Sequence, residues 1–381
     1  MNKKEVRKAP VLRFKGFTND WEQRKLGKIV KIIGGGTPST SNSNYWNGDI
    51  NWYSPTEIGK KNFIFTSKKK ITKLGLQHSS AKILPGKQTI LFTSRAGIGD
   101  MAIMQTDGCT NQGFQSWVIE NNSVNIYFLY SLGKNIKKEA IRKASGSTFL
   151  EISNKEVKKI PLFIPSKHEQ DKLGKLLLVL DNLLSLQQRR LESFQFTYHE
   201  IIRRLFLKKA KWQQTKLSDL VTILDKNRKP VKKEDRLFGD TPYYGANGIQ
   251  DYISGFTHKG EFILIAEDGA NNLTEYPIYF VKGQIWVNNH AHVLKVNKDV
   301  SPLFLTLALK QINYSKYTVG SSRNKLNLKD LENIAIFIPD NNEQQKIGQF
   351  YSNYLNYLRI NKKRIQYMKQ FKQFLLQNMF I

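Results

Sequence analysis

The chain has 381 residues, enough for two domains of ordinary size, and its 40% hydrophobic and 12% aromatic content supports packed cores rather than a disordered basic tail. Its formal charge is +29, from 60 Lys and Arg against 31 Asp and Glu, which points to a polyanionic partner. Cys109 is the single cysteine, so disulfides within the chain and cysteine-based zinc sites are excluded.

The N-terminal residues MNKKEVRKAP lack the apolar core of a signal peptide, and the longest apolar run, Leu176 to Leu180, is too short for a bilayer. A cytoplasmic protein with no membrane partner is expected. The positive charge is spread along the chain: +13 over 12–165, +3 over 212–339, and +5 over each of 166–211 and 340–381. Such a distribution suits a protein lying along a polyanion, and no one-sided basic amphipathic helix stands alone to favour a membrane surface.

In chain order, Trp21-Glu-Gln-Arg-Lys-Leu-Gly opens a globular segment. Strands are predicted at Thr89-Ile-Leu-Phe-Thr and Phe114-Gln-Ser-Trp-Val-Ile, and a short helix over 126–144. Leu162-Phe163-Ile164 is a short apolar strand closed by Pro165. A long helical pattern follows, with its apolar seam at Leu173, Leu177, Leu180, Leu184, Gln187, Leu191, Phe194, Tyr198, Ile201 and Leu205. The spacing alternates four and three, the heptad of a coiled coil. Trp212-Gln-Gln-Thr-Lys-Leu-Ser then opens a second globular segment, with strands at 261–266 and 284–287 and a helix over 302–312. Ile336-Phe337-Ile338-Pro339 leads into a second long helix, whose seam runs Ile347, Tyr351, Tyr354, Leu358, Asn361, Ile365, Met368, Lys372, Leu375 and Met379.

These two helix regions are one sequence written twice. Residues 146–206 align without a gap to 320–380, at a constant offset of 174, with 15 identities over 61 positions that include Pro165/Pro339, Glu169/Glu343, Gln170/Gln344 and Gly174/Gly348. The expected architecture is mixed α/β: two globular α/β domains joined by two long antiparallel helices that form a coiled coil, with a pseudo-two-fold internal repeat. The segments are 1–165, a central helix 166–211, 212–339 and a C-terminal helix 340–381. An amide interrupts each seam at the same repeat position, Gln187 and Asn361, and these are the candidates for setting helix–helix register. Lys372 stands where the first copy has Tyr198, so the helices are not equivalent near that end.

Catalytic patterns are missing. Gly34-Gly35-Gly36 runs into Thr37-Pro38 rather than a cofactor loop, no Pro-Pro occurs, and there is no phosphate-binding Gly-x-x-x-x-Gly-Lys-Ser/Thr. Glu156-Val157-Lys158 has nuclease-like spacing without the preceding Pro-Asp strand, and is read as chance in a lysine-rich chain. His290 and His292 are read as part of a polar recognition face rather than a metal site. No catalytic, cofactor or metal residue is assigned.

Nucleic-acid binding is better supplied. Phosphate contacts need cations, as in Lys68, Lys69 and Lys70, and base reading needs forked donors and amides on turns. The base-reading candidates of the first half are Thr93, Ser94, Arg95, Asn111 and Gln112. Those of the second half are Tyr243, Tyr244, Asn247, Asn288, His290, Arg323, Asn324 and Lys325.

Taken together, the Phe-Ile-Pro-x-x-x-Glu-Gln repeat, the long helices, Gly34-Gly35-Gly36-Thr37-Pro38-Ser39 with Tyr45-Trp46, and Tyr244-Gly245-Ala246-Asn247-Gly248-Ile249 resemble the specificity subunit of type I restriction–modification systems. The resemblance covers essentially the whole chain. It implies a subunit without catalysis of its own, whose two target recognition domains read a bipartite site in double-stranded DNA, with the helices as a ruler. It also implies two methyltransferase subunits bringing S-adenosylmethionine, and restriction motor–nuclease subunits bringing ATP and magnesium. The alternative from another class is a stand-alone two-lobed nucleic-acid-binding scaffold, which would bind without any methyltransferase.

Overall fold

The residues after each opening tryptophan pair with the apolar strand that precedes each long helix. Glu22–Lys25 lies antiparallel to Pro161–Ile164, with Glu22 opposite Ile164. Gln213–Lys216 lies antiparallel to Ala335–Ile338 in the same way, with Gln213 opposite Ile338. Each globular segment is thus closed on itself by a two-stranded ladder, and Pro165 or Pro339, having no N–H, ends it. The computed structural model describes residues 8–95, 97–120, 122–146, 150–207, 212–320 and 324–381.

Two units result, and they cut across the linear segments. Unit 1 comprises Met1–Gln188 with Arg364–Ile381, and unit 2 comprises Arg189–Lys363. Each therefore contains one globular segment and a part of each long helix. Four helices matter below: α1 (Ile126–Ser131), α2 (Lys167–Leu207), α3 (Pro302–Leu309) and α4 (Asn341–Asn378). The helix expected over 126–144 is two, because the chain breaks at Leu132 before Gly133–Lys143. No helix among the described residues is long and apolar enough to cross a membrane.

In unit 1 a five-stranded sheet runs in the order 31–34, 115–118, 89–92, 101–104, 63–64, beside a three-stranded sheet of 69–71, 46–53 and 108–110. Trp117 stacks on Phe92 at 4.8 Å in the core, and Leu173, Leu177 and Leu180 of α2 join the same cluster as Leu375 and Met379 of α4. Early α2 therefore meets late α4, so the helices are antiparallel within this unit. Each fully buried leucine contributes about 1.5–3 kcal/mol. Cys109 is buried, which pushes its thiol up to about 12 and disfavours the thiolate.

Unit 2 is built on a six-stranded sheet in the order 221–223, 291–296, 258–266, 278–287, 238–245, 248–253. The pairing is antiparallel except where Tyr243 runs parallel to Trp286. Here Tyr198 of α2 stacks on Tyr354 of α4 at 3.4 Å, again an antiparallel match. One seam residue is corrected: Ile201 is 46% exposed and Ile202, at 2%, takes its place. A straight helix repeats every 3.6 residues, so a strict 3.5 pattern drifts off the contact line, and the drift shows at the end of α2.

The same kind of aromatic joint recurs inside each unit. In unit 1 Trp21, Phe128 and Phe380 form a triad, with Phe128 stacked on Phe380 at 5.7 Å and Trp21 edge-on to both. In unit 2 Trp212, Phe304 and Phe206 repeat it, with Phe206 stacked on Phe304 at 6.3 Å and Trp212 edge-on to both. Phe380→Ala is expected to destabilise unit 1 by about 3–5 kcal/mol, read as a lowered thermal midpoint. An unchanged midpoint would show that the C-terminal aromatic is dispensable.

Candidate nucleic-acid interface

The glycine-rich stretch of unit 1 is a spacer-free contact between two turns. A Cβ on Gly35 would fall on the carbonyl oxygens of Thr110 and Asn111, and one on Gly36 on Ser80 and Ala81. With no side chains in the way, the Gly36 N–H reaches the Thr110 carbonyl at 2.8 Å, and the Trp52 indole reaches the Gly36 carbonyl at 2.9 Å. This sets the Gly-rich strand against the Asn111–Gln112 turn, where Thr37 donates to the Gln112 amide oxygen. Asn111 accepts the Gly113 N–H at 2.8 Å.

Gly113 also lies against Arg95, since a Cβ there would sit 3.4 Å from the Arg95 Nε. Arg95, Asn111 and Gln112, separate in sequence, therefore share one surface. Thr93 and Ser94 do not belong to it. Both are buried: Thr93 donates to the Gly97 carbonyl at 2.6 Å and accepts the Asp100 N–H at 2.9 Å. Ser94 is bonded through its backbone to Gly113 and Ile152. Their work is to hold the turn that carries Arg95. Lys68, Lys69 and Lys70 are exposed, and Lys69 lies 5.7 Å over the Trp46 ring. Glu156, on the short helix Asn154–Lys158, is bonded to Lys159 at 2.6 Å, and that hydrogen bond holds its carboxyl below the usual range.

In unit 2 the candidates gather around a segment that the sequence reading passed over, Glu267 to Asn271. Asn247 donates to the Gly269 carbonyl at 2.9 Å and accepts the Asn271 N–H at 3.1 Å. His290 Nδ1 lies 2.5 Å from Asp268, and the buried Asn288 accepts the His290 N–H at 2.8 Å. The Asn324 carbonyl accepts the Gly269 N–H at 3.2 Å, and Lys325 lies 3.7 Å from Glu267. Tyr244 joins the cluster through its carbonyl, which accepts the Asn288 N–H at 3.0 Å. Tyr243 does not: it is buried, its hydroxyl accepts the Val231 N–H at 3.1 Å, and Arg236 covers its ring at 4.2 Å. Arg323 lies outside the described residues.

Beneath this cluster sits an ionic hub. His292 is buried, with Nδ1 2.5 Å from Asp225 and Nε2 3.0 Å from the Leu326 carbonyl, so both ring nitrogens face acceptors. Asp225, Glu267 and His292 bring ligand atoms within 4.8 Å of one another. Arg228 already occupies the cluster, 2.6 Å from Glu267 and 3.4 Å from Asp225. A guanidinium in that place makes a neutralised brace, not a vacant cation site. Its signal in the sequence was the His-x-His pair; the partner carboxylates, 67 and 25 residues away from His292, carry no local pattern.

Burial alone would raise the Asp225 carboxyl. The hydrogen bond and charge of His292, the Val293 N–H and Arg228 together hold it below the usual carboxylate range. A depressed carboxyl contributes stability that is full above its unfolded value, near pH ~4, and is lost as pH falls through the lower folded value. Unit 2 is therefore expected to weaken in acid below pH ~4. Asp225→Asn should lower the thermal midpoint at neutral pH and flatten that acid limb, and parallel limbs in both proteins would assign the acid loss to other groups.

Four likenesses bear on these surfaces. The family described as "Type I restriction modification DNA specificity domain" matches twice, over 18–194 and 209–370. The MjaIX type I restriction enzyme specificity subunit of Methanocaldococcus jannaschii is 26% identical over 399 residues, covering 94% of this chain and 92% of that one. The S.HindORF215P specificity subunit of Haemophilus influenzae is 43% identical over 131 residues, 34% of each chain. Among solved structures, the S subunit of a type I restriction–modification system from M. genitalium superposes with a TM-score of 0.70 at 18% identity, over 98% of this chain and 99% of that one, a likeness of fold.

Proposed function

Because this chain belongs to the type I restriction–modification DNA specificity family, a family of non-catalytic DNA-recognition subunits, we propose that its two units read the two halves of one bipartite, asymmetric site. The observation that carries this reading is a repeated joint supporting unlike surfaces. The aromatic triad and the helix entrance recur in both units, while the reading surfaces share no residue pattern. In unit 1 the proposed readers are Arg95, Asn111 and Gln112, with Lys68, Lys69 and Lys70 on phosphates. In unit 2 they are Tyr244, Asn247, His290, Asn324 and Lys325, and Arg323, outside the described residues, is proposed from its residue type alone. Thr93, Ser94, Tyr243 and Asn288 act as supports for these readers.

The helices are proposed to set the length of the unread spacer and to carry two methyltransferase subunits. S-adenosylmethionine, ATP and magnesium would be bound by the methyltransferase and motor–nuclease partners. Gln187 and Asn361 are proposed as register-setting groups. The Asn361 side chain donates to its own Tyr357 carbonyl at 2.8 Å, which satisfies part of the amide inside the helix.

In unit 1 the docking face for a methyltransferase helix is proposed to be Val179, Leu183 and Leu186 of α2 with Phe371 and Phe374 of α4, which are 45–53% exposed. Each of these residues lies one position before a seam residue. In an antiparallel pair the positions before the seam point to the same side on both helices, so the two rows make one apolar face.

Deleting the gene is expected to erase adenine methylation at one bipartite motif in the host methylome. An unchanged methylome in a strain without a second specificity subunit would remove the assignment. Leu183→Glu with Phe371→Glu should abolish copurification with the methyltransferase and leave the fold intact by circular dichroism. Undiminished copurification would move the docking face elsewhere.

A further inference from the structure

Consecutive strand residues point to opposite faces, so one of two neighbouring apolar side chains at the start of a strand is normally covered. In unit 2 the hairpin β1 (Phe238–Gly245) and β2 (Gly248–Ile253) forms one edge of the six-stranded sheet. Where β1 begins, both neighbours stand out in solvent: Leu237 is 75% exposed and Phe238 is 93% exposed. On the strand opposite and at its exit, Tyr252 and Phe256 are exposed as well.

The backbone beneath these side chains is braced. The Leu237 carbonyl accepts the Ser254 N–H at 2.9 Å, and Phe238 stands opposite Ile253 in the ladder. The preceding Arg236 covers the Tyr243 ring, donates to the Val231 carbonyl at 3.2 Å, and pairs with Asp251 at 3.2 Å. Two bulky apolar groups are therefore held out on a fixed edge, a placement that gives the isolated fold nothing. The segment leading to them carries the exposed cations Lys226, Lys229, Lys232 and Lys233, against Glu234 and Asp235.

An apolar tip with flanking cations is complementary to duplex DNA. The phosphate rim is anionic, while the faces of stacked base pairs are apolar and open to a side chain that parts them. We propose that Leu237 and Phe238 are a wedge that enters between base pairs of the site read by unit 2, with Lys232 and Lys233 on the adjoining phosphates. The wedge rests on the DNA-reading assignment above and adds local unstacking to it. It would also favour flexible pyrimidine–purine steps, giving sequence preference at a step where no base edge is hydrogen-bonded.

The test uses the purified full chain and duplexes carrying the site found by methylome sequencing. A fluorescent adenine analogue that brightens on unstacking is placed at successive positions in and beside each half-site. The wild-type chain is expected to brighten one step. Phe238→Ser and Leu237→Ser should each abolish that signal and weaken binding by roughly tenfold, while Phe238→Leu keeps part of both. Since both side chains are exposed, thermal midpoints of the variants should match wild type. Selective binding by the wild type without brightening at any position overturns the wedge alone. So does a Phe238→Ser chain that binds DNA as tightly as wild type, including one that loses methyltransferase instead. A wild-type chain that holds the site no better than a scrambled duplex overturns the recognition assignment and the wedge with it.

Discussion

Each long helix is fastened to its globular segment through one buried glutamine, and the rest of the architecture depends on that joint. Gln170 donates to the Pro165 carbonyl at 2.9 Å and accepts the N–H of Asn125, the residue capping α1, at 3.0 Å. Gln344 donates to the Pro339 carbonyl at 3.0 Å and accepts the N–H of Ser301, the residue capping α3, at 3.0 Å. A buried amide that satisfies two backbone groups fixes an angle as well as a distance, because losing either bond would strand a polar group without water. The repeated glycines serve the same joint. A Cβ on Gly174 would strike the Asn125 side chain, and one on Gly348 would lie 2.8 Å from the Ser301 hydroxyl. The identities that revealed the duplication are thus the residues that make a helix start at one position against a short capped helix.

On this common joint the two units differ in the chemistry of their seams. In unit 1 Lys372 meets Asp181 at 2.5 Å, and Asp181 also accepts from the Tyr127 hydroxyl at 2.6 Å and the Asn62 amide at 2.9 Å. Burial and that carboxylate push the Tyr127 hydroxyl far above its ordinary value, so it stays a donor. In unit 2 the corresponding seam position is Tyr198, stacked between Phe350 and Tyr354. An ion pair cannot exchange with an aromatic stack without burying an unpaired charge, which costs about 3–5 kcal/mol. The inequivalence at Lys372 therefore distinguishes the seam of unit 1 from that of unit 2. Unit 1 adds a further tie, a two-pronged bond from Arg13 to Glu169 at 2.9 and 2.7 Å. Its counterpart Glu343 has its backbone N–H bonded to Asp340.

The proposed reading surfaces follow the opposite logic. Their supports are buried and specific, as with Thr93, Asn288 and the Asp225–His292–Glu267–Arg228 hub, whereas the groups they present are half-exposed amides and cations. Residue type alone separated neither class. Thr93 and Ser94 look like readers because they are polar and sit in a turn beside Arg95, yet strand geometry turns them inward. Asn247 combines the two roles: it is exposed and offers a reader's amide, and the same amide ties down the 269–271 backbone.

The sequence by itself determined the duplication, the long helices, the apolar seams and the class of partner. Those are written in periodic spacing, in identities at fixed offset and in charge, all of which survive without coordinates. Only the tertiary structure decided which polar residues brace and which present, why Ile202 replaces Ile201, and how carboxylates distant in sequence meet His292. The physical reason is that periodicity records which face of an element is buried, whereas hydrogen-bond pairing depends on where separate elements cross. The repeat shows both sides of this: Gln170 and Gln344 stood out by identity alone, but their task appeared only when the capped ends of α1 and α3 were found against them.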